Sequence, residues 1–443
     1  MNIKLSDHFT YKKLLRFVIP SIVMMIFTSI YGVIDGLFIS NFAGKTPFAA
    51  INLVMPFLMI LGTFGFMIGA GGSALIARYL GEGKKERALG IFSMLVYLTA
   101  ISGIILGIIG IIFLKPISAF LGAQGEILDY CVIYGRIILP ALPCFMLQNV
   151  FQSFMITAEK PQLGLITTVA AGITNIILDA LLVGVFKLGL IGAAFATAIS
   201  QFIGGIFPII YFALPNNSLL HFTKPLFDIG AVFKTITNGS SELMTNISMS
   251  LVSMIYNYQL LRFEGEDGVS AYGVLMYVNF IFIAVFIGYS IGTAPIISYN
   301  YGADTTDELK SVFKKIVTLI AVFGISMTVL AILLAYPLSM IFVGKYPYLF
   351  DLTLRAFVIS AFSFLASGFN IYGSSFFTAL NNGPVSALIS FLRTLVFQVA
   401  AVLILPTFLK TDGIWVSLIV AEVLSLAVTS AFIFLMKNKY KYL

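Results

Sequence analysis

Four oxygen-bearing side chains in the first half of this sequence have the types and spacing of a cation site. Asn175 and Asp179 stand four residues apart in the apolar run GITNIILDALLVG, so they share one face of a helix. Asp35 and Thr197 lie in two other apolar runs. Carboxylate, amide and hydroxyl oxygens are hard ligands that suit Na⁺, while two neighbouring carboxylates could instead share one proton. The alternative is structural, with each aspartate hydrogen-bonded to a neighbouring helix.

The composition indicates which elements must position these side chains. Of 443 residues, 59% are hydrophobic and 10% are charged, whereas soluble proteins carry about a quarter charged residues. Such a chain cannot cover its surface with polar groups in water, so we predict an integral membrane protein. The net charge of +7 comes from basic residues in short loops, which favours a lipid bilayer over nucleic acid as a partner. Cys131 and Cys144 are too far apart on one helix for a disulfide.

Twelve apolar runs are long enough to cross a bilayer, which takes about 20 residues. The sequence therefore predicts an all-α protein with twelve transmembrane helices. We place an N-terminal six-helix bundle at residues 1–214, a cytoplasmic linker at 215–231 and a C-terminal six-helix bundle at 232–443. The predicted helices lie near 14–40, 48–77, 88–114, 127–158, 162–186, 189–214, 232–261, 270–300, 311–343, 349–379, 384–409 and 413–436.

Loop charges and a weak repeat predict how the helices are arranged. The loops and tails on the side of both termini carry 17 basic residues, against eight on the other side, so we predict cytoplasmic termini in a cell-membrane protein. At an offset of 221 residues Gly81 meets Gly302 and Asn149 meets Asn370. Both halves begin on the same side, so we expect parallel repeats related by a pseudo-two-fold axis, an arrangement found in transporters.

Counting residues along the predicted helices places the candidate ligands at similar depths in the membrane. Counting 1.5 Å per residue from the predicted helix ends places Asp35, Asp179 and Thr197 roughly 8–12 Å below the outer surface. Asn175 is one turn deeper than Asp179 on the same face. The two carboxylates, the amide and the hydroxyl are therefore expected in one layer of the N-terminal half.

The second half has three charged residues well inside apolar runs, namely Glu242, Arg393 and Glu422. A charge in the hydrocarbon costs about 2.5–3.5 kcal/mol on the insertion scale, so each needs a partner or a function. We predict a structural ion pair for Arg393, with Glu242 or Glu422 as its partner. The competing interpretation places Glu242 on the path of the substrate or the ion.

Four stretches resemble the multidrug and toxic compound extrusion (MATE) transporters, and the resemblance covers essentially the full length. The stretches are GVIDGLFISNFAG with AAINLVMP (32–56), GAGGSALIARYLGEG (69–83), QNVFQSFMITAEKPQLGLITTVAAGITNIILD (148–179) and GLIGAAFATAISQ (189–201). The resemblance implies a MATE-like fold of two six-helix bundles. It also implies a cation site in the N-terminal bundle, and the matching positions are Asp35, Asn175, Asp179 and Thr197.

The resemblance is less complete in the C-terminal bundle. The helix-7 glutamate of the family matches Glu242, but some members also carry a carboxylate in helix 10, where Asn370 is the nearest polar residue here. A second cation site in this bundle is therefore not implied.

The implied activity is antiport, in which organic cations or amphipathic drugs leave the cell while Na⁺ or H⁺ enters. No cofactor besides the coupling ion is implied. Ion binding would bend helix 1 near Pro20. For contact with the substrate we predict Asn149 and Gln152 on helix 4, together with Glu242 and Asn370. We expect a monomer.

A flippase and an intramembrane enzyme are alternatives to an antiporter. A lipid-linked oligosaccharide flippase of the same wider superfamily would need a cationic cavity for pyrophosphate, and no Lys or Arg lies inside the apolar core of the first six runs. An intramembrane transferase would need a DDxxD-like carboxylate cluster or a buried general base. His8 and His221 both lie outside the apolar runs. We therefore predict a transporter and no enzymatic activity.

Overall fold

The computed structural model describes residues 3–39, 42 and 44–443, and regular structure in those residues is entirely helical. Ser40, Asn41 and Ala43, which belong to the stretch 32–56 quoted above, lie outside the described residues. The α-helices are α1 (Tyr11–Phe38), α2 (Lys45–Gly81), α3 (Lys85–Phe120), α4 (Gly125–Ile138), α5 (Leu142–Thr157), α6 (Pro161–Leu178), α7 (Gly189–Ala213), α8 (Ile229–Gly302), α9 (Thr306–Val343), α10 (Pro347–Ala361), α11 (Phe364–Ala379), α12 (Gly383–Phe391), α13 (Gln398–Ile404) and α14 (Pro406–Tyr440).

These helices make up the twelve predicted membrane spans. The fourth span joins α4 to α5 through a 3₁₀ turn at Leu139–Ala141, and the tenth joins α10 to α11 at a bend of 53°. The fifth span extends α6 by a π-helical turn, Asp179–Val185, and the eleventh joins α12 to α13 through a second π-helical turn, Leu392–Phe397.

Helix α8 contains the seventh and eighth spans, which the sequence separated by a polar connection at 262–269. Helical backbone continues on both sides of Gly265, and only this residue leaves the helical region, with φ 64° and ψ −144°. Glycine adopts this left-handed φ without the steric cost that a Cβ brings. The connection is therefore a reversal of the chain at one glycine. Between α7 and α8, residues 214–228 carry no helix.

Glycines allow the two halves to touch on the side that carries the chain termini, called the terminal side below. A Cβ built on Gly81 would lie 2.1 Å from the carbonyl oxygen of Tyr299, and one on Gly302 would lie 2.2 Å from that of Arg78. Gly81 and Gly302 occupy equivalent positions of the sequence repeat. The contact between α2 and the end of α8 is thus reciprocal, as expected across a two-fold axis.

A second close contact joins α2 to the first part of α8. A Cβ on Gly71 would lie 2.0 Å from the carbonyl oxygen of Thr235, and one on Gly239 would lie 1.9 Å from that of Met67. Real Cβ atoms do not approach backbone oxygens so closely. Backbone packs directly on backbone here, as small residues permit between membrane helices.

We expect Gly239→Ala to destabilise the protein by about 1–3 kcal/mol, because the added methyl group overlaps the Met67 carbonyl and forces α2 and α8 apart. Thermal unfolding of the purified protein in detergent measures this effect. Gly273→Ala is the matched control, because a Cβ there has no atom within 4 Å and alanine favours a helix. Equal melting temperatures for the two variants would mean that the contact between α2 and α8 is loose.

The segment before α1 lies across both halves on the terminal side. The amide of Leu5 donates to Glu159 in the loop before α6 at 2.6 Å, and the amide of Phe9 donates to Glu308 on α9 at 2.9 Å. His8 also contacts the Glu308 carboxyl, at 2.5 Å. Leu5 and Phe9 are completely buried. Residues 3–10, called the N-terminal strap below, therefore connect the two halves.

We expect Glu308→Ala to release the N-terminal strap, because the buried Phe9 amide loses its acceptor. An unsatisfied buried donor costs about 1–3 kcal/mol, so amide hydrogen exchange in the strap should accelerate roughly 5- to 150-fold. Hydrogen exchange followed by mass spectrometry measures this. Asp307→Ala is the control, since Asp307 is exposed on the adjacent position of α9. An unchanged exchange rate in Glu308→Ala would show that the strap is held by its apolar contacts alone.

Candidate ion and substrate site

Asp35 and Asp179 face each other near the ends of their helices that lie away from the terminal side. Asp35 is in the last turn of α1, and Asp179 is the residue at which α6 passes into the π-helical turn. Their carboxyl groups are neighbours, and the Asn175 side chain lies next to Asp35. Asp179 is 0% exposed and Asn175 is 2% exposed. The structure thus brings three of the four predicted cation ligands together.

The carboxyl pair lacks donors. Neither oxygen of Asp179 has a hydrogen-bond partner among the described residues, and the same holds for Oδ1 of Asp35 and Oδ1 of Asn175. Two ionised carboxylates are acceptors only, so they cannot satisfy each other. Several acceptor oxygens therefore converge on one buried place, which is the arrangement that a small cation or a shared proton stabilises.

Thr197, the fourth predicted ligand, lies on α7 beside this pair. Its hydroxyl is buried and unpartnered, and its neighbour is the hydroxyl of Tyr134 on α4. Tyr134 is completely buried and lies close to both carboxyls. Thr197 is thus next to Tyr134, which in turn lies close to the carboxyl pair.

Tyr134 and two further residues of this cluster were not among the residues predicted from the sequence. Tyr31 on α1 lies near Asp35 and beside the Gln148 side chain of α5. Gln148 in turn packs against Gly204 on α7. A signal for Tyr31 was present, because it precedes Asp35 by four residues and therefore shares its helix face. Tyr134 has no such signal, since it is far in sequence from every predicted site residue, whereas Gln148 precedes the predicted substrate contact Gln152 by four residues.

The donor set fits a monovalent cation or a proton. Within the part of the chain that the structure describes, no three His, Cys, Asp or Glu side chains gather as a metal site. Two carboxylates, one amide and one hydroxyl supply hard oxygens, which suit Na⁺ better than a transition metal. Because the carboxyls are close and buried, protonating one of them would also relieve their repulsion.

A comparison with known sequence families shows the family to which this chain belongs. The sequence model of the MatE family matches residues 20–181 and again residues 243–404, so one family model describes both halves. The chain belongs to the MatE family. The family predicted from the sequence is thereby confirmed.

Individual relatives of this MATE protein agree over nearly full length. The multidrug export protein MepA of Staphylococcus haemolyticus is 25% identical over 430 residues, covering 97% of this chain and 94% of that protein. A solved outward-facing structure of a multidrug resistance MATE transporter of the MOP superfamily superposes with a TM-score of 0.93 at 20% identity, covering 98% of each chain. A MOP superfamily transporter from Pyrococcus furiosus superposes with a TM-score of 0.88 at 21% identity, covering 97% of each chain. The predicted fold, twelve helices in two bundles, is confirmed.

The predicted substrate contacts of this MATE protein are divided between its two halves, with Asn149 and Gln152 in the N-terminal half and Glu242 and Asn370 in the C-terminal half. Asn149 and Gln152 on α5 are 5% and 6% exposed, and the side-chain nitrogen of Asn149 has no hydrogen-bond partner in the described structure. Glu242 on the first part of α8 is half-buried. The fourth residue, Asn370, is completely buried in the C-terminal half. Direct contact of any of these four residues with a substrate stays a prediction.

Asn370 donates hydrogen bonds to one member of a buried ion pair, Arg393 and Glu422, in the C-terminal half of this MATE protein. Arg393 donates to Glu422 through Nη2 at 2.7 Å and through Nε at 3.0 and 3.1 Å. The Asn370 amide donates to the Glu422 carboxyl at 2.6 Å and to its backbone carbonyl at 2.9 Å. Of the two partners predicted for Arg393, the structure places Glu422 beside it. Here the carboxylate is fully engaged, in contrast to the carboxyl pair of the other half.

Proposed function

We propose that this protein is a secondary active antiporter that exports organic cations or amphipathic drugs in exchange for Na⁺ or H⁺. The observation that carries the proposal is the neighbouring pair Asp35 and Asp179, in which three of the four carboxyl oxygens have no hydrogen-bond partner among the described residues. Two like charges in a medium of low dielectric constant repel each other and are poorly solvated. The pair therefore gains most when a cation or a proton neutralises it, and Asn175 and Thr197 supply the remaining oxygens.

The conformation supports alternating access. The halves are in close contact on the terminal side, whereas residues 25–36 of α1, up to and beyond Asp35, include no buried residue. We therefore propose that the site opens on the side away from the chain termini. With both termini in the cytoplasm, as the loop charges predict, this is the outward-open state, in which the coupling ion enters from outside.

Helix α1 is the element through which ion binding would act. It runs unbroken from Tyr11 to Phe38 with Pro20 inside it. Proline lacks an N–H and clashes with the preceding turn, so a helix bends most easily there. We propose that neutralising Asp35 releases the outer part of α1, which then bends at Pro20 and closes over the emptied substrate site.

The substrate side of the proposal rests on Glu242, Asn149 and Gln152. Glu242 is half-buried, and none of the ion pairs in the described structure includes it. A carboxylate in such a place attracts a cationic ligand, and amide side chains such as Asn149 can orient it by hydrogen bonds. Relatives named multidrug export protein MepA support drugs as the class of substrate. Asn370 would act at greater distance, through Glu422.

The competing flippase function would require a free cationic group for pyrophosphate. Arg393 is the one basic residue that the sequence places inside an apolar run, and it is committed to Glu422 by three hydrogen bonds. In the N-terminal half, no lysine or arginine side chain that the structure describes is buried. The charge distribution therefore favours a cationic substrate over an anionic lipid pyrophosphate.

Transport in reconstituted proteoliposomes tests the proposal. Ethidium movement is followed by fluorescence with a Na⁺ gradient at equal pH, and separately with a pH gradient in Na⁺-free buffer. We expect one of the two gradients to drive ethidium against its own gradient, and that gradient names the coupling ion. Movement that only dissipates the ethidium gradient under both conditions would overturn antiport and indicate a channel or uniporter.

Cell-membrane residence with cytoplasmic termini and a monomeric state complete the proposal. Both halves and the whole carboxyl pair belong to one chain, so no second copy is needed to form the site. Labelling of single cysteines introduced at exposed Lys12 and exposed Lys115, at opposite ends of the bundle, tests the orientation. Light scattering of the purified protein in detergent tests the oligomeric state.

A further inference from the structure

A groove outside the transport site lies on the C-terminal half, between the ninth, tenth and twelfth spans. Its volume is about 340 Å³, within the range of sites that hold small molecules. The walls are mainly apolar and include Phe313 and Val317 of α9, Phe369 and Tyr372 of α11, and Leu426 and Thr429 of α14. On one edge Phe434 is 64% exposed, so the groove opens towards the lipid.

Two residues that line the groove have buried hydroxyls that lack partners. Tyr372 is 2% exposed and Thr429 is 1% exposed, and neither hydroxyl oxygen has a hydrogen-bond partner in the described structure. An unpaired hydroxyl in an apolar setting costs roughly 1–3 kcal/mol by mutational data. Two such donors in one groove indicate a ligand that carries acceptor oxygens.

Basic side chains continue the two helix faces that line the groove. On α14 the lining residues Leu426 and Ile433 are followed at helical spacing by Lys437, whose Nζ lies 3.7 Å from the centre of the Phe434 ring. On α9 the lining residues Phe313 and Val317 share a face with Lys310, and Lys314 is adjacent and exposed. Both helices meet the terminal side at these lysines. The groove therefore has an apolar body and a cationic rim.

We propose that this groove binds an anionic glycerophospholipid. An acyl chain would lie along the apolar walls, the ester carbonyls would accept hydrogen bonds from Tyr372 and Thr429, and the phosphate would lie among Lys310, Lys314 and Lys437. Basic pockets between membrane helices at the headgroup level recognise anionic lipids in this way. The site is separate from the carboxyl pair and does not depend on the proposed transport function.

A second groove on the same half provides an internal comparison. It is larger, at about 530 Å³, and is lined only by apolar residues such as Leu251, Met254, Leu395 and Val399. It contains none of the unpaired hydroxyls and no lysine. Lipid acyl chains fill such a groove without selecting a headgroup, so it serves as the control for unselective binding.

Native mass spectrometry of the full-length protein in detergent, titrated with dioleoyl phosphatidylglycerol or dioleoyl phosphatidylcholine, tests the site. We expect the anionic lipid to bind more tightly. Each neutralised rim lysine, as in Lys437→Gln or Lys314→Gln, should weaken its binding about fivefold. Leu426→Trp should fill the groove and reduce binding of the lipid, while Val399→Trp in the second groove and Lys115→Gln at the other end of the bundle should leave the preference unchanged.

Equal affinity for the two lipids would overturn the proposal, as would wild-type affinity for phosphatidylglycerol in Lys437→Gln. An equal loss in Val399→Trp would assign the binding to unselective annular lipid and would also overturn it. Glycerol 3-phosphate, added at the same concentration, should not compete. Competition by this soluble compound would show that the lysines bind phosphate alone and that the groove does not hold an acyl chain.

Discussion

Asp179→Asn is expected to abolish ion-coupled export while the protein stays folded in the membrane. Asparagine has nearly the shape of aspartate, so the packing of this fully buried side chain is kept. The substitution removes the charge that we propose the coupling ion or proton neutralises. Without that coupling between ion and substrate, we expect an ion gradient to drive no accumulation of ethidium against its own gradient.

The stability of Asp179→Asn separates a coupling role from a structural one. Both oxygens of Asp179 lack donors, so the charged side chain contributes no hydrogen bond that asparagine would lose. An uncompensated buried charge is unfavourable, and its removal should leave the melting temperature unchanged or raise it. If the aspartate instead held helices together, the variant would melt at a lower temperature.

Matched variants complete this experiment. Asp35→Asn should behave like Asp179→Asn, because one carboxylate cannot form the site alone. Asp129→Asn, at an exposed position of α4, should transport like the wild type. Wild-type transport by both Asp179→Asn and Asp35→Asn, at normal expression, would contradict coupling through the pair. The half-buried Glu242 would then become the candidate ion ligand.

The membrane spans and the layer of polar residues could be predicted from the sequence because both depend on position along a helix. An apolar run of about 20 residues indicates a membrane-spanning helix, and residues four apart on a helix share one face. These two rules place Asn175 and Asp179 together. Counting rises of 1.5 Å from the helix ends then places Asp35 at a similar depth.

The same rules do not give the rotation of a helix about its own axis or the identity of its neighbours. Tyr134 on α4 and Gln148 on α5 are separated by a 3₁₀ turn within the fourth span, which apolar periodicity does not reveal. The π-helical turn that begins at Asp179 is hidden for the same reason. Such turns change which side chains face inward, so the inner lining of the site required the structure.

The partner of Arg393 illustrates the same limit. Glu242 and Arg393 lie at similar depth by residue counting, and depth alone allowed either Glu242 or Glu422 as the partner. The structure pairs Arg393, in the eleventh span, with Glu422 on α14, in the twelfth span. Lateral neighbours are set by how the spans pack, and the sequence of one chain carries that information only weakly.

Arg393→Leu is expected to destabilise the protein by about 3–5 kcal/mol, since it leaves the Glu422 carboxylate buried without its counter-charge. The side chains of Arg393 and Glu422 are only 12% and 6% exposed, so water cannot replace the lost partner. Glu422→Leu should have a similar effect for the opposite charge. Thermal or denaturant unfolding of the purified protein in detergent measures both.

The double variant Arg393→Leu with Glu422→Leu decides what the ion pair contributes. Removing both charges removes both desolvation costs, and apolar replacements of buried pairs are often neutral or stabilising. Asn370 keeps its hydrogen bond to the backbone carbonyl of residue 422. We therefore expect the double variant to regain most of the stability that either single variant loses.

An exposed ion pair on the same half is the control for this cycle. Arg355 pairs with Asp412, but their side chains are 65% and 33% exposed, so Arg355→Leu should change stability by only about 0–1 kcal/mol. If Arg393→Leu has an equally small effect, the interior of the C-terminal half must admit water to Glu422. That outcome would make Glu422 available for protonation, and the C-terminal half would then be a candidate for a second coupling site.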